Sequence, residues 1–182
     1  LSLLPPGSLV LDAACGTGSY ISILLEKGHS VVGVDQSQGM LTHARANFPS
    51  VRFEKAGLQE MAYTEAFDGV ICIDAMKYIC PEDWLVVLSN FFRALKPDGK
   101  LYFTAATIEN LDVGESKIQQ AFESTRQAGL PVVYGEWVDN GIYHYFPTNQ
   151  QVREWAQHTG FEIVKEGNGE IKYYHMLVRK IV

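Results

Sequence analysis

The stretch that most constrains this chain is LVLDAACGTGSY, Leu9 to Tyr20. An apolar run stops at Asp12 and gives way to small residues and two glycines, Gly16 and Gly18. A short apolar run bounded by turn signals reads as a buried strand, here Leu9–Ala14. Ser19–Lys27 places Ile21, Leu24 and Leu25 at helical spacing and ends at Gly28, so it reads as a helix. A buried strand that hands over to a helix through glycines is the opening of a parallel α/β sheet. Glycines in such a turn permit positive φ and let a ligand approach the backbone to contact distance.

The alternation continues. Ser30–Asp35 reads as a strand, Gln38–Asn47 as a helix, Val51–Lys55 as a strand and Phe67–Asp74 as another apolar strand. Pro81 and Glu82 open a helix to about Leu95, KPDGK at Lys96–Lys100 is a turn, and Lys100–Ala106 is a fifth strand. Strands separated by helices imply right-handed crossovers and helices on both faces of the sheet. Beyond Thr107 the pattern changes to a long mixed connection with one helix, Glu115 to about Ala128, then a short aromatic strand in GIYHYFP. Thr148 caps a helix that ends near Thr159 and Gly160. Phe161–Glu166 and Lys172–Val182 read as strands joined by the hairpin signal GNGE. The sheet is therefore expected to end in an antiparallel pair.

With 182 residues and 47% hydrophobic content, one domain with a packed core is expected. The net charge of −6 argues against a large nucleic-acid or anionic-membrane surface. No apolar run is long enough to span a bilayer. The cysteines Cys15, Cys72 and Cys80 have no CxxC spacing, which disfavours a disulfide framework or structural zinc and suits a reducing cytoplasm. No His/Cys/carboxylate cluster has metal-ligand spacing, so no metal is expected.

In an open parallel sheet, ligands sit beyond the carboxyl ends of the strands. Asp35 ends the second strand about 20 residues after the glycine turn, the station from which a carboxylate reaches ribose hydroxyls. The dinucleotide fingerprint asks for a third glycine, and Ile21 stands there instead. Asp12 would repel a pyrophosphate but tolerate a ligand that carries an ammonium. A nicotinamide-dependent oxidoreductase is thereby the weaker reading.

VLDAACGTG, VVGVDQSQGML, FDGVICIDAMKYI and LKPDGKLYFT, in this order from Leu9 to about Thr107, resemble the successive motifs of class I S-adenosylmethionine-dependent methyltransferases. The resemblance resumes at FPTNQQVREWAQHTGFEIV and YYHMLVRK. It implies a doubly wound, mostly parallel seven-stranded sheet with an antiparallel last strand, here with a helix and an aromatic strand inserted after the fifth strand. It further implies S-adenosylmethionine as cofactor and a small molecule as methyl acceptor at O, N or C, in a monomer or homodimer. A cofactor-binding or partner-activating protein without turnover is the alternative.

By the resemblance, Gly16 and Gly18 border the methionine part, with Asp12, Ala14 and Cys15 in the same turn. Asp35 accepts the ribose hydroxyls, Gln36 and Met40 lie near ribose and adenine, and Ile73 and Asp74 face the amino-acid end. The family often carries an Asp after the third strand for the adenine amino group. Gly57 falls there, so Gln59 or a backbone carbonyl is left to accept, with Leu58 packing on the ring. Where the family often has a substrate-facing His, this chain has Tyr78. The start of the last strand would bring Tyr173, Tyr174 and His175 to the pocket mouth, and Tyr143, His144 and Tyr145 are expected as its lid or wall. Tyr78 and His175 are the candidate catalytic groups. Family members also usually carry an upstream helical segment over the cofactor, so a longer natural N-terminus is expected.

Overall fold

A computed structural model describes residues 3–111, 115–169 and 173–181. The strands are β1 Leu9–Ala13, β2 Ser30–Asp35, β3 Arg52–Lys55, β4 Phe67–Cys72, β5 Leu95–Ala105, β6 Glu136–Asp139, β7 Ile142–Tyr145, β8 Phe161–Asn168 and β9 Tyr174–Lys180. The α-helices are α1 Ile21–Glu26, α2 Gln38–Asn47, α3 Trp84–Ala94, α4 Glu115–Gln127 and α5 Asn149–His158. Seven strands form one sheet in the order β3-β2-β1-β4-β5-β9-β8, and β6 pairs with β7 apart from it. The first five strands are parallel, while β9 runs antiparallel to both β5 and β8. This is the expected doubly wound sheet, and β1 and β4, at its centre, carry near-continuous buried runs because helices cover both faces.

Helix α3 shows why one face is well sealed. Trp84, Val87, Leu88, Phe91 and Ala94 recur at helical spacing, and all are fully buried against the sheet. Each large side chain so buried contributes roughly 1.5–3 kcal/mol. On the opposite face α1 and α2 bury Ile21, Leu24, Leu41 and Ala44 with Val10, Val31 and Phe53.

Three segments depart from the sequence reading. KPDGK is not a turn between separate elements but an excursion inside β5. Phe67 pairs with Leu95 and Gly69 with Lys100, so the intervening residues bulge out. Lys96 Nζ meets Asp68 Oδ1 at 2.8 Å and pins the bulge to β4. The aromatic strand does not stand alone either, because Ile142–Tyr145 folds back on Glu136–Asp139 as a hairpin. Asn140 and Gly141 close it with φ of 49° and 79°, the pair of positive angles that a two-residue hairpin turn requires. Beneath the hairpin, Ala106, Ile108, Ile118 and Phe146 form a small separate core that joins it to α4. Finally, β8 extends to Asn168, two residues past the expected Glu166. Glu170, Lys172 and Val182, part of the expected hairpin and last strand, lie outside the described residues. Among the described residues, no helix is long and apolar enough to cross a membrane.

Candidate active site

The carboxyl ends of β1, β2 and β4 open into a cleft of about 650 Å³, well within the range of small-molecule sites. Asp12, Ala14, Cys15 and Gly16 line it from the first turn, and Asp35, Gln36 and Met40 from the second strand and α2. Leu58 and Gln59 form a side wall, and Ile73, Asp74 and Tyr78 follow the end of β4. Eleven of the twelve residues expected around the cofactor thus meet in one cleft, together with Tyr78. The twelfth, Gly18, stands behind the turn with φ of 91°. A Cβ there would lie 2.8 Å from the Phe48 ring, so this glycine serves packing of the turn rather than the cleft surface. The sequence reading did not single out Thr17, Ser19, Tyr20, Ser37, Ala56, Ala75 and Ile79, which also line the cleft. They flank the motif residues, and their neighbourhood was the available signal.

Two carboxylates in this cleft differ sharply. Asp35 is fully engaged: its Oδ2 accepts the Gly16 N–H at 2.9 Å and its Oδ1 the Ser37 N–H at 2.8 Å. Those bonds lock the glycine turn to the end of β2 and leave further lone pairs for a ligand. Asp12 is 2% exposed, and its Oδ2 has no hydrogen-bond partner among the described residues. Burial pushes its carboxyl from the ordinary 3.8 up to about 7, and the charge of Asp35 adds to the effect. Cys15, between them, is pushed up to about 12 chiefly by burial and then by the two aspartates, so it stays a thiol.

The side wall is held from below by α3. Asn90 Nδ2 donates to the carbonyls of Leu58 and Gln59 at 2.9 Å each, and Arg93 donates to those of Met61 and Tyr63. Gly57 stands where the family often has an acid, and its N–H is taken by Glu60 Oε2 at 3.1 Å. Gln59 Nε2 donates to Asp83 at 3.2 Å, so its Oε1 remains the side-chain acceptor on this wall.

Past β4 the chain makes a tight turn. Asp74 has φ of 59°, a left-handed conformation that costs a non-glycine residue on the order of 1–3 kcal/mol. Its N–H donates to Thr104 Oγ1 at 2.9 Å, and its Oδ1 accepts from Lys77 Nζ at 2.6 Å and from the Tyr173 hydroxyl. Burial works against the Lys77 ammonium, and the Asp74 carboxylate more than compensates, holding lysine above its usual range. Tyr78 is 48% exposed on the cleft wall with its ring 5.3 Å from that of His144, which stacks in turn on Phe146. Burial, and then the charge of Lys77, lower the His144 pKa.

The remaining expected wall residues do not gather at the cleft. Tyr145 is fully buried in the main core beside Trp155. Tyr174 is 3% exposed, and its hydroxyl binds Glu166 Oε2 at 2.6 Å and Arg153 at 3.2 Å on the α5 side of the sheet. The period of two along β9 turns Tyr174 into the core and His175 to the opposite face. His175 Nδ1 meets the Tyr102 hydroxyl at 2.6 Å and lines a second cavity beside the cleft, not the cleft itself. Tyr143 is tied within its hairpin, its hydroxyl donating to Glu136 at 2.8 Å. Only His144 of that strand reaches the cleft region, through Tyr78. Lys77 was not foreseen as a site residue, and Tyr173 only as a neighbour of the pocket mouth. They lie 96 positions apart in the chain, and no local spacing links them.

Fold and cleft together define a doubly wound domain with a nucleoside-type site at its first glycine turn. Residues 10–99 match the family described as a methyltransferase domain. YqeM of Bacillus subtilis, named as a methyltransferase, is 38% identical over 106 residues, covering 55% of this chain and 43% of that protein. Among solved structures, an S-adenosylmethionine-dependent methyltransferase from Methanosarcina mazei superposes with a TM-score of 0.83 at 19% identity, over 100% of this chain and 96% of that one. The 1,6-didemethyltoxoflavin-N1-methyltransferase of Burkholderia thailandensis, solved with 1,6-didemethyltoxoflavin and S-adenosylhomocysteine, gives 0.72 at 19% identity, over 97% and 72%. At such identities the superpositions speak to the fold. The chain spans less than half the length of curated relatives such as YqeM. Residues 10–99 are a methyltransferase domain, and the whole chain has the fold of S-adenosylmethionine-dependent methyltransferases.

Proposed function

We propose that the domain moves the methyl group of S-adenosylmethionine to an oxygen, nitrogen or carbon nucleophile of a small molecule, in a reducing, cytoplasmic setting. The observation that carries this reading is Asp12, a buried carboxylate with an unpartnered oxygen on the cleft floor. Such a group needs a proton or a cationic hydrogen-bond donor, and the ammonium of a bound methionine moiety supplies one. The rest of the cleft fits the same ligand. Asp35 is fixed by two backbone N–H groups at ribose reach, and Met40, Leu58 and Ile79 offer apolar surface for a base. When bound, the cofactor supplies an already activated methyl group on sulfur. The protein's part is then to hold the nucleophile in line at about 3–3.5 Å, worth roughly 7–11 kcal/mol of effective molarity.

The three cysteines are unpaired, in keeping with a reducing compartment. No Lys or Arg is among the residues lining the cleft, which favours a compact, partly apolar acceptor over a polyanion. Tyr78, half exposed on the wall, supports this reading as one surface for such an acceptor. Calorimetric titration tests the cofactor side: S-adenosylmethionine and S-adenosylhomocysteine bind, and NAD binds far more weakly. NAD binding tighter than either sulfur ligand would overturn the reading.

A further inference from the structure

Asp74 occupies a singular position. With Tyr20 and Ile73 it lines both the cofactor cleft and a second cavity of about 710 Å³ next to it. The second cavity has apolar walls, Ile23, Leu24 and Ile71, and polar groups from Tyr102, Thr104 and Tyr173. A methyl group offered from one side and a nucleophile waiting on the other would meet at these shared residues. Asp74 is the only ionisable carboxylate among them. Its Oδ1 is held by Tyr173 and Lys77, whereas Oδ2 has no partner among the described residues and the side chain is 53% exposed. Lys77 is immobilised in its turn, 5.1 Å above the Tyr78 ring and 5.9 Å above the Tyr173 ring. One carboxylate oxygen is therefore anchored and the other is free to receive a proton.

We propose that Asp74 is the general base for an acceptor hydroxyl that enters beside Tyr20 and Ile73, with Tyr173 and Lys77 as its positioning residues. The proposal rests on the methyl-transfer reading above and names the acceptor class: a compact phenol or similar hydroxyl compound. The acceptor oxygen forms the new bond to the methyl carbon, and the carbon–sulfur bond breaks with its electron pair staying on sulfur. The hydroxyl proton passes to Asp74 Oδ2 and leaves from there to water. The competing candidates are less well placed. His175 lines the second cavity but not the cofactor cleft, and Tyr173 holds its proton more tightly than free tyrosine through burial and its bond to Asp74.

The test compares two surrogate acceptors under single turnover, 4-methoxyphenol, which is un-ionised, and 4-nitrophenol, which is largely ionised at mildly alkaline pH. Asp74→Asn keeps a residue that tolerates left-handed φ. It should lower transfer to 4-methoxyphenol about 100-fold, as loss of general-base catalysis does. Transfer to 4-nitrophenol, already largely ionised, should fall far less, so the ratio of the two rates is the readout. Tyr173→Phe leaves Asp74 in place and should show a smaller loss confined to 4-methoxyphenol. Equal loss on both phenols in either variant overturns the proposal, and so does loss of S-adenosylhomocysteine affinity in Asp74→Asn, which would make Asp74 a cofactor ligand. A wild-type protein that binds S-adenosylhomocysteine yet methylates neither phenol also overturns it and leaves the methyl-transfer reading standing. Failure to bind the sulfur ligands, or tighter binding of NAD, strikes that reading.

Discussion

The cofactor end and the acceptor end of the cleft are made in different ways. At the cofactor end, strand termini and a glycine turn place most groups, and backbone N–H bonds to Asp35 fix the geometry of that turn. At the acceptor end, side chains from the turn after β4, from β7 and from the residue before β9 meet across loops, as Lys77, Tyr78, His144 and Tyr173 do. The first kind of site follows from the sheet itself, while the second depends on a few long-range contacts. Substitutions at the first should alter binding and stability together, and those at the second should alter turnover alone.

The largest expected effect lies on the cleft floor. Asp12 is protonated in the folded protein below about pH 7, whereas the unfolded chain ionises near its ordinary 3.8. The native state therefore holds the extra proton between those values, and unliganded stability falls as pH rises through that window. The full penalty, at most about 4 kcal/mol, applies above it. Thermal melts of the unliganded protein should show this decline, and Asp12→Asn should remove it while binding S-adenosylmethionine more weakly. A flat profile in the wild type would contradict the assigned burial.

Asp35→Ala comes next. It removes charge-assisted bonds to the ribose worth roughly 1.5–3 kcal/mol each, less than additively, and abandons the Gly16 and Ser37 N–H groups. Calorimetry should show S-adenosylhomocysteine affinity down by about 100-fold, with Asp35→Asn milder; unchanged affinity would remove Asp35 from the site. Gly18→Ala should cost about 2 kcal/mol in denaturant melts, because its Cβ meets the Phe48 ring and its φ is left-handed. The smallest effect belongs to Tyr174→Phe. It loses bonds to Glu166 and Arg153, about 1 kcal/mol of stability, and should leave methyl transfer intact. A variant that is stable but inactive would return Tyr174 to the acceptor wall.

This contrast also explains what could be read in the sequence. The strand–helix alternation, the glycine turn and Asp35 are local patterns, and the fold and nearly all of the cofactor cleft follow from them. The acceptor side was legible in single residues, Asp74 and Tyr78 after β4 and Tyr173 and His175 at the start of the last strand, but not in how they meet. Tyr174 and His175 were placed by the end of the strand they occupy, without regard to which face each side chain takes. Tyr145 looked like wall because aromatic strands often line pockets, yet burial beside Trp155 claims it for the core. The β6–β7 hairpin did leave a local signal, Asp139-Asn140-Gly141, but the four-residue strand before it is too short and too exposed to stand out. The Asp74–Lys77–Tyr173 cluster left none, since its members meet only after the sheet has formed.

Helix α3 holds the side wall through main-chain carbonyls of Leu58, Gln59, Met61 and Tyr63, and Leu58 and Met61 also bury their side chains in the core it shares. At Gly57 and Gln59 the loop's path thus depends little on the side chain that stands there. That is how a glycine can occupy the usual acid position here without the wall losing its course. If the proposed cofactor lays its base on this wall, Gly57 and Gln59 are the positions whose exchange should alter base recognition while Asn90 and Arg93 keep the frame in register.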